Sequence, residues 1–412
     1  MKYGCIGEHL GHSFSKEIHN RIESYEYGIW EIPKDELDSF MKRQDFAAIN
    51  VTIPYKQDVI PYLHYIHPVA EEIGAVNTIV NKDGKLYGYN TDFSGMSALS
   101  DRIGIDMQGK KVLILGTGGT SKTAVAVAGA KGAAQVLQVS RNEKDGCITY
   151  TEATEQHKDA QIIINTTPCG MYPNNEGMPI DIDVFPQLEG VLDAVYNPLR
   201  TNLVQAALTK GIKAEGGLYM LVAQAVVAAQ WFTGKEYPTD TTDNIYREIM
   251  AQKQNIVLTG MPGCGKSTIG KLLAQQTGRE LIDTDEMIVK AQGMEISDIF
   301  EKYGEKAFRD METAAVKEAS AKNNCIIATG GGAVLREENI NALKSNGRIY
   351  FIDRPLESLI PTDDRPLARD VEAISRRYNE RYSIYCGTAD ARIEGAGTPE
   401  QVMLAVKGEH NI

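Results

Sequence analysis

Two glycine-rich segments, each lying between an apolar run and a helical pattern, constrain the fold of this 412-residue chain most strongly. The second segment reads GMPGCGKS over residues 260–267 and satisfies GxxxxGK[ST]. Its glycines allow successive backbone N–H groups to surround anionic phosphates, Lys266 adds a positive charge, and Ser267 offers an oxygen to Mg²⁺. The segment therefore predicts a P-loop near the start of a nucleotide-binding domain.

The first glycine segment reads GTGGTS over residues 116–121 and is an imperfect match to GxGxxG, with Ser121 in place of the third glycine. It follows the apolar run KVLIL and precedes an alanine-rich helical pattern, as in a dinucleotide-binding turn. The tip of the next predicted strand carries Arg141, and an arginine there suits a ribose 2′-phosphate. We therefore expect NADP(H) rather than NAD.

Composition limits the class of protein. The chain has 42% hydrophobic and 24% charged residues, as soluble globular proteins do. Its formal net charge of −12 argues against nucleic-acid binding. The cysteines are scattered without a CxxC pair, which disfavours a disulfide framework or a zinc site. The N-terminal residues lack the apolar core of a signal peptide, and the apolar stretch over 218–232 is too short to span a bilayer. We expect a cytoplasmic protein with no membrane or nucleic-acid partner.

Alternating strand and helix patterns predict an α/β fold along the whole chain. We expect strands at 2–7 and 46–53, a helix over 15–27 with Ser15 as its N-cap, and a hairpin with its turn at Asp83–Gly84. From Lys111 the pattern is β-α-β, which indicates a parallel sheet.

A second strand-and-helix series starts at Asn255, after a helical pattern over 241–254, so we place a domain boundary near Lys253. The predicted domains are an α/β domain over 1–100, a Rossmann NADP-binding domain over 101–234, and a P-loop domain with a central parallel sheet over 254–412. The resemblance given below for residues 1 to about 250 implies that the first of these binds substrate and that a helix over 235–252 packs back on it.

The acidic and basic residues that follow the P-loop form a spaced set. Asp283 and Asp285 come just after a predicted strand, and Arg309, Arg365 and Arg381 lie further along. Arginine binds carboxylates through its forked guanidinium, so arginines beside a P-loop indicate a small anionic acceptor. With the glycines at 330–332, this set resembles shikimate kinase over residues 254–412.

That resemblance implies specific roles. Asp285 would hold and polarise the acceptor hydroxyl, and Arg309 and Arg381 would bind the shikimate carboxylate. Arg365, on a lid, would meet the γ-phosphate, while Lys266 would act in catalysis. The remaining implied contacts are to the ring through Gly330, Gly331 and Gly332, to ATP through Gly263, Cys264, Gly265, Lys266, Ser267 and Thr268, and to Mg²⁺ through Ser267 and Asp283.

Polar residues at two strand ends of the N-terminal half suggest acid–base chemistry. Asn50 and Thr52 share one face of a predicted strand, with Lys56 just beyond it at a helix start. Asn90 and Asp92 lie at a second strand-to-helix turn. A lysine beside an aspartate can exchange a proton with a forming alkoxide. The alternative is a surface lysine and an N-capping aspartate.

A series of blocks, including NVTIPYK, AVNT, GYNTD, NTTPCGM and DAVYNP, resembles shikimate dehydrogenase over residues 1 to about 250 in order and spacing. The resemblance implies that Lys56 and Asp92 form the proton-handling pair. Ser13 and Ser15, on an extended segment, would hold the substrate carboxylate, and Tyr196 would close the pocket. The other implied contacts are to ring hydroxyls through Thr52, Asn77, Asn90 and Gln224, and to NADP through Gly116, Gly118, Gly119, Ser121, Arg141, Asn165, Thr166 and Gly217.

Together the two resemblances imply a bifunctional shikimate-pathway enzyme. One half would reduce 3-dehydroshikimate to shikimate with NADPH, and the other would phosphorylate shikimate to shikimate 3-phosphate with ATP and Mg²⁺. Two alternatives remain, namely a regulatory protein that binds these ligands without catalysis, and an unrelated oxidoreductase joined to a nucleoside-monophosphate kinase. The presence of Lys56, Asp92, Lys266 and Asp285 disfavours the first, and the C-terminal half has no recognisable base pocket to support the second.

Overall fold

The computed structural model describes residues 2–10, 14–359 and 371–412. The chain forms two compact units, Met1–Ile249 and Met250–Ile412, and the division falls inside the helix Thr241–Lys253. The α/β class predicted from the sequence is confirmed. Ser13 and Arg365, predicted to bind substrate carboxylate and γ-phosphate, lie outside the described residues.

The first sheet of the N-terminal unit has the strand order β2-β1-β3-β5-β6-β4, and its neighbours are parallel except where β5 pairs with β3 and β6. Its strands are β1 Tyr3–Gly7, β2 Tyr27–Glu31, β3 Ala48–Val51, β4 Tyr65–Ile66, β5 Thr78–Lys82 and β6 Lys85–Tyr89. The helices of this part are α1 Ser15–Ile22, α2 Leu37–Arg43, α3 Pro68–Ile73 and α4 Thr91–Arg102.

The second sheet is parallel throughout, with the order β12-β11-β10-β7-β8-β9. Its strands are β7 Lys111–Leu115, β8 Gln135–Ser140, β9 Cys147–Thr149, β10 Ile162–Asn165, β11 Gly190–Asp193 and β12 Lys213–Glu215. The accompanying helices are α5 Gly119–Ala130, α6 Tyr150–Gln156, α7 Asn202–Thr209, α8 Leu218–Thr233 and α9 Thr241–Lys253. The buried central strands are continuous apolar runs, as strands covered on both faces require.

The C-terminal unit contains a third parallel sheet, in the order β14-β15-β13-β16-β17. Its strands are β13 Asn255–Thr259, β14 Glu280–Asp283, β15 Cys325–Ala328, β16 Gly347–Asp353 and β17 Ala391–Glu394. Its helices are α10 Lys266–Thr277, α11 Thr284–Gln292, α12 Ile296–Ser320, α13 Glu337–Asn346, α14 Val371–Thr388 and α15 Pro399–His410. The P-loop joins the central strand β13 to α10, as the sequence predicts.

The predicted hairpin is confirmed, because β5 and β6 are joined by Asp83 and Gly84 with φ of 52° and 78°. Two positive φ values define the type I′ turn that suits the twist of a two-stranded hairpin. Among the described residues, we find no helix that combines the length and the apolarity needed to cross a bilayer.

The prediction of one helix over 15–27 is wrong at both ends. Phe14 already has helical angles (φ −78°, ψ −4°) and occupies the N-cap position, so Ser15 is the first helical residue and the segment is not extended there. The helix ends at Ile22 because Glu23 is extended, and Tyr27 then starts a strand that pairs with Tyr3. Burial of Tyr27 in the core overrides the helical spacing of this segment.

Two further expectations differ from the structure. Lys56 lies in a run of turns over residues 53–59, and the next helical turn is only Ile60–Tyr62. The helix expected over 235–252 runs instead from Thr241 to Lys253. The preceding segment contains Pro238, which lacks an N–H and restricts the residue before it, so the helix starts only after it.

Candidate active sites

Lys56 and Asp92 form an ion pair at the carboxyl ends of strands β3 and β6 in the first sheet. Lys56 follows β3, Asp92 lies in the first turn of α4, and Lys56 Nζ is 2.5 Å from Asp92 Oδ2. The exposed fractions of the two side chains are 16% and 12%, so water screens the pair only weakly. Asp92 is not the N-cap of α4, because Asn90 holds that position and accepts from Phe93 N. The interpretation as surface lysine and capping aspartate is therefore wrong.

The thiol of Cys5 lies beneath this pair on β1. Burial raises its pKa to about 12, Lys56 opposes that shift, and Asp92 adds to it. The thiol therefore stays neutral at ordinary pH and cannot serve as a thiolate nucleophile. The groups at this strand end that can take part in proton transfer are therefore Lys56 and Asp92.

Thr91 connects two side chains that the sequence assigns to the substrate ring. Its hydroxyl accepts from Asn77 Nδ2 at 3.1 Å and donates to Gln224 Oε1 at 3.2 Å, while its backbone N–H donates to Asn77 Oδ1 at 2.7 Å. Gln224 Nε2 also donates to Leu221 O at 2.9 Å. These bonds orient both amides and use one N–H of each, so each amide keeps one N–H for a ligand hydroxyl.

A chain of buried hydrogen bonds leads to the Asn77 amide. Thr78, fully buried, contacts Asn77 Oδ1 at 3.1 Å and accepts from Asn50 Nδ2 at 3.1 Å, and Tyr27 donates to Asn50 Oδ1 at 2.7 Å. Asn90 donates to Ala75 O at 3.0 Å and caps α4, so both ends of its amide have partners. Sequence reasoning missed the supporting role of Thr78 and Thr91, although both lie inside the motifs AVNT and GYNTD.

Other residues predicted to touch substrate lie around this edge. Thr52 directly follows β3 and its methyl group faces Gly7. The Tyr196 ring packs against Phe14 at 5.3 Å between centroids, immediately before Ser15 begins α1. Thr52 therefore lies at the same strand end as Lys56, and Tyr196 contacts the residue that precedes α1.

The dinucleotide-type turn follows β7 and leads into α5. Gly116 has φ 107°, which only glycine adopts readily, and a Cβ there would lie 2.9 Å from Thr166 Oγ1. Gly118 is the N-cap of α5, and Ser121 donates to its carbonyl oxygen at 2.7 Å. A Cβ at Gly119 would lie 4.0 Å from Lys56 Cδ. The fold thus brings the dinucleotide-type turn next to Lys56.

The remaining predicted cofactor residues divide into two groups. Asn165 is fully buried, donates to Asp193 Oδ1 at 2.9 Å and accepts from Thr167, so its side chain shapes the turn from within. Thr166 likewise donates to Leu115 O. Arg141, by contrast, is exposed just beyond the end of β8, where its guanidinium can reach a ligand. Gly217 starts α8, against the backbone of Ala194.

In the C-terminal unit the P-loop has the geometry of a phosphate cradle. Gly260, Gly263 and Gly265 have φ of 146°, 83° and 98°, values that leave no strain-free alternative to glycine. Cys264, between the last two of these glycines, is buried. Lys266, Ser267 and Thr268 form the first turn of α10. Lys266 Nζ donates to Gly260 O at 2.9 Å and to Met261 O at 3.1 Å.

Ser267 and Asp283 meet at the carboxyl end of β14. Ser267 Oγ donates to Asp283 Oδ2 at 2.8 Å, and Asp283 Oδ1 accepts from Asp285 N at 3.0 Å. Hydroxyl and carboxylate oxygens at the mouth of a P-loop are the donor set that Mg²⁺ prefers. The residues present therefore fit this metal. Among the described residues no cluster of three His, Cys, Asp or Glu side chains offers an alternative metal site.

A cavity of about 450 Å³ opens beside the P-loop. Charged side chains of both signs line it, together with the glycines of the loop after β15 and a few apolar residues. The lining includes Pro262, Ser267, Asp283, Asp285, Glu295, Phe300, Phe308, Arg309, Glu312, Gly330, Gly331, Gly332, Arg377 and Arg381. Every described residue that the sequence assigns to the acceptor lies in this one cavity.

Three consecutive glycines allow these charged groups to approach each other. A Cβ at Gly330 would lie 2.5 Å from Asp285 Oδ1, and one at Gly332 would overlap the Arg309 guanidinium. The carbonyl oxygen of Gly331 accepts from Arg381 Nη1 at 3.0 Å. Gly330 and Gly332 therefore create the space that Asp285 and Arg309 occupy, and Gly331 provides a carbonyl acceptor for Arg381.

Glu312 lines the same cavity, and sequence reasoning missed it. Its Oε2 is 2.7 Å from Arg309 Nη1, while Arg309 Nη2 is 3.1 Å from the half-exposed Glu305. Burial raises the pKa of Glu312, and the charge of Arg309 opposes that shift. The i, i+3 spacing of Arg309 and Glu312 on a helix was the available signal. A ligand carboxylate can replace exposed Glu305 on Arg309 while buried Glu312 keeps the guanidinium oriented.

Comparison with known proteins relates each half of the chain to a family. A family model described as the shikimate dehydrogenase substrate binding domain matches residues 5–79, and the shikimate kinase model matches residues 262–408. A shikimate dehydrogenase (NADP(+)) of Clostridium perfringens strain SM101 is 38% identical over 265 residues, which are 60% of this chain and 97% of the relative. The chain belongs to the shikimate dehydrogenase family. Its C-terminal unit additionally contains a shikimate kinase domain, so the chain is a bifunctional enzyme.

Solved structures support the membership of the family. Shikimate dehydrogenase 1 from Peptoclostridium difficile is 36% identical, with a TM-score of 0.56 over 60% of this chain and 97% of its own. A Thermus thermophilus shikimate 5-dehydrogenase in complex with NADP(H) and shikimate is 26% identical, with a TM-score of 0.55 over 60% of this chain and 99% of its own. The shikimate dehydrogenase family thus accounts for the N-terminal 60% of the chain, and NADP and ATP with Mg²⁺ are the cofactors that the two domains imply.

Proposed function

We propose that this enzyme reduces 3-dehydroshikimate to shikimate with NADPH and then phosphorylates shikimate to shikimate 3-phosphate with ATP and Mg²⁺. The observation that carries the proposal is the same in both units. In each, an acid–base side chain lies beside a glycine loop suited to a nucleotide, namely Lys56 beside Gly119 and Asp285 beside the P-loop. In each, oriented polar groups surround that side chain.

In the reduction, NADPH supplies a hydride to the carbonyl carbon of the substrate. Lys56 donates a proton to the carbonyl oxygen, so that the C=O double bond becomes a C–O–H single bond. Asp92 holds the ammonium group at 2.5 Å and compensates its charge. Asn77 and Gln224 each have one remaining amide N–H group. These groups are hydrogen-bond donors and therefore bind the oxygens of substrate hydroxyls.

In the phosphorylation, the chain's residues position the acceptor and stabilise developing charge. Asp285 accepts the proton of the attacking hydroxyl, whose oxygen forms the new bond to the γ-phosphorus as ADP leaves. Arg309 and Arg381 hold the acceptor carboxylate, and Lys266 and the P-loop N–H groups face the phosphates. Ser267 and Asp283 would hold Mg²⁺, which would supply positive charge opposite the phosphates.

A stepwise assay tests the proposal. The purified protein is mixed with 3-dehydroshikimate and NADPH while the absorbance of NADPH is followed, and MgATP is added once absorbance is constant. We expect NADPH loss in the first step and ADP formation in the second, with ADP limited by the shikimate produced. NADPH oxidation without later ADP release would remove the kinase half of the proposal.

Arg141→Ala is expected to reduce or reverse the preference for NADPH over NADH. The guanidinium pairs with the 2′-phosphate, and a charge-assisted hydrogen bond contributes about 1.5–3 kcal/mol, or roughly 10- to 100-fold in affinity. The measurement is the ratio of kcat/KM for the two cofactors. Lys144→Ala, which removes an exposed charge from the same loop, is the matched control. An unchanged ratio in the Arg141 variant would assign phosphate recognition to another residue.

Arg309→Ala is expected to raise the KM for shikimate by about 10- to 100-fold, because a carboxylate loses a charged hydrogen-bonding partner. The KM for ATP should change little, since the Arg309 guanidinium lies against Gly332 and outside the P-loop. Initial rates with each substrate varied in turn provide the comparison. An effect confined to the KM for ATP would contradict the assignment of the acceptor site.

A further inference from the structure

Arg354 lies beside the P-loop, outside every motif described above. It directly follows β16, and β16 pairs in parallel with β13, the strand that leads into the P-loop. Its Nη1 atom is 3.9 Å from the position that a Cβ on Gly265 would occupy. Gly265 immediately precedes Lys266. The guanidinium therefore sits against the backbone of the phosphate cradle.

Within the described residues, the Arg354 side chain has no hydrogen-bond or ion-pair partner, and its Nε atom is buried and unsatisfied. The adjacent carboxylate, Asp353, is already engaged by Arg392 Nε at 2.5 Å and by Tyr382 OH at 3.0 Å. A partly desolvated cation without a counter-charge is unfavourable. The arrangement becomes favourable when an anion binds next to it.

The position of Arg354 identifies that anion. The described lining of the acceptor cavity includes Arg309, Arg377 and Arg381 but neither Gly265 nor Arg354, so Arg354 does not serve the acceptor carboxylate. The anion that a P-loop binds is a phosphate chain, and a guanidinium matches phosphate oxygens with two parallel N–H groups. Lys266 points its ammonium at the carbonyls of Gly260 and Met261. Arg354, next to Gly265, therefore places a second cation beside the phosphate cradle.

We infer that Arg354 is a nucleotide-binding residue of the kinase domain, and that its guanidinium binds the phosphate chain of ATP alongside the P-loop. The inference rests on the proposed function, in which ATP is the phosphoryl donor. Arg354, directly after β16, thus contributes to nucleotide binding, although it lies outside the P-loop sequence.

The test compares Arg354→Met with Arg348→Met in the full-length enzyme. Arg348 lies near the start of β16, six residues before Arg354, and pairs with Glu409, so its variant loses the same charge at the end of the strand away from the P-loop. The measured quantities are the KM for ATP, the KM for shikimate, and the inhibition constant of inorganic tripolyphosphate, which has phosphates but no base. Dehydrogenase activity reports on the integrity of the other unit.

For Arg354→Met we expect the KM for ATP and the inhibition constant of tripolyphosphate to rise about 10- to 100-fold, as loss of a charge-assisted phosphate contact predicts. The KM for shikimate and the Arg348→Met values should stay near wild type, and Arg354→Lys should recover part of the loss. If Arg354→Met does not fold, Arg354→Lys and Arg354→Gln carry the same comparison.

Three outcomes would overturn the inference. Unchanged ATP and tripolyphosphate constants in a folded Arg354 variant would exclude a phosphate contact. A raised KM for ATP with an unchanged tripolyphosphate constant would place Arg354 on the base instead. A wild-type enzyme that transfers no phosphoryl group from ATP would overturn the proposed function together with this inference, whereas the first two outcomes leave the proposed function standing.

Discussion

Lys56→Ala is expected to lower the rate constant for 3-dehydroshikimate reduction by about 10²–10⁴-fold, the usual effect of losing a general acid. The ammonium group of Lys56 is the proton donor in the proposed reaction, and its removal also leaves the shielded carboxylate of Asp92 without its partner. The measurement is the initial rate of NADPH loss at saturating substrate. Phosphorylation of added shikimate should be unaffected, because the kinase site lies in a separate compact unit.

Two further variants separate proton transfer from charge pairing. Lys85→Ala removes an exposed lysine from the same sheet and should leave the rate unchanged. Lys56→Arg keeps a positive charge beside Asp92, but a guanidinium does not release its proton at ordinary pH. We therefore expect Lys56→Arg to remain slow. A near-wild-type rate in Lys56→Arg would show that charge alone is needed, and one in Lys56→Ala would remove Lys56 from the mechanism.

Lys266→Ala is expected to lower the rate constant for shikimate phosphorylation by about 10²–10³-fold, the loss typical of removing one preorganised donor to developing charge. Lys266 is buried and held against the P-loop carbonyls, so its ammonium is already positioned when the phosphates bind. ADP release at saturating shikimate and ATP measures the effect. NADPH-dependent reduction serves as the internal standard and should keep its wild-type rate.

Lys271→Ala is the matched control for Lys266, since it removes an exposed lysine from the same helix α10. Its phosphorylation rate should equal that of the wild type. Asp285→Asn should also lose phosphorylation, because an amide cannot accept the hydroxyl proton. A Lys266→Ala enzyme that loses affinity for ATP but keeps its rate constant would place the lysine in ground-state binding and contradict a role in the transition state.

Features that depend on short spacing were correctly predicted. The P-loop lies within eight residues, and its conformation follows from glycines at positive φ between a buried strand and a helix. The Asp83–Gly84 turn likewise follows from two residues. In such segments local backbone preference and tertiary structure agree, so the sequence is sufficient.

The prediction for residues 15–27 shows where local preference is insufficient. The helical spacing there corresponds to a helix up to Ile22, but Tyr27 is a strand residue because it pairs with Tyr3 of β1. A pattern of polar and apolar residues cannot state which neighbouring strand will be available. The same uncertainty affects Lys56, whose predicted helix is a series of turns.

The α/β class, the two glycine loops, and the residue types suited to acid–base and phosphate chemistry could be predicted from the sequence, because each depends on neighbours a few positions apart. Which of these residues meet depends on the folded chain. The tertiary structure joined Lys56 to Asp92 across 36 positions and Thr91 to Gln224 across 133, buried Glu312 behind Arg309, and set Arg354 against Gly265. The Lys56–Asp92 and Arg354–Gly265 contacts depend on the order of strands in each sheet, since parallel strands bring their carboxyl ends to one edge however far apart they lie in the chain.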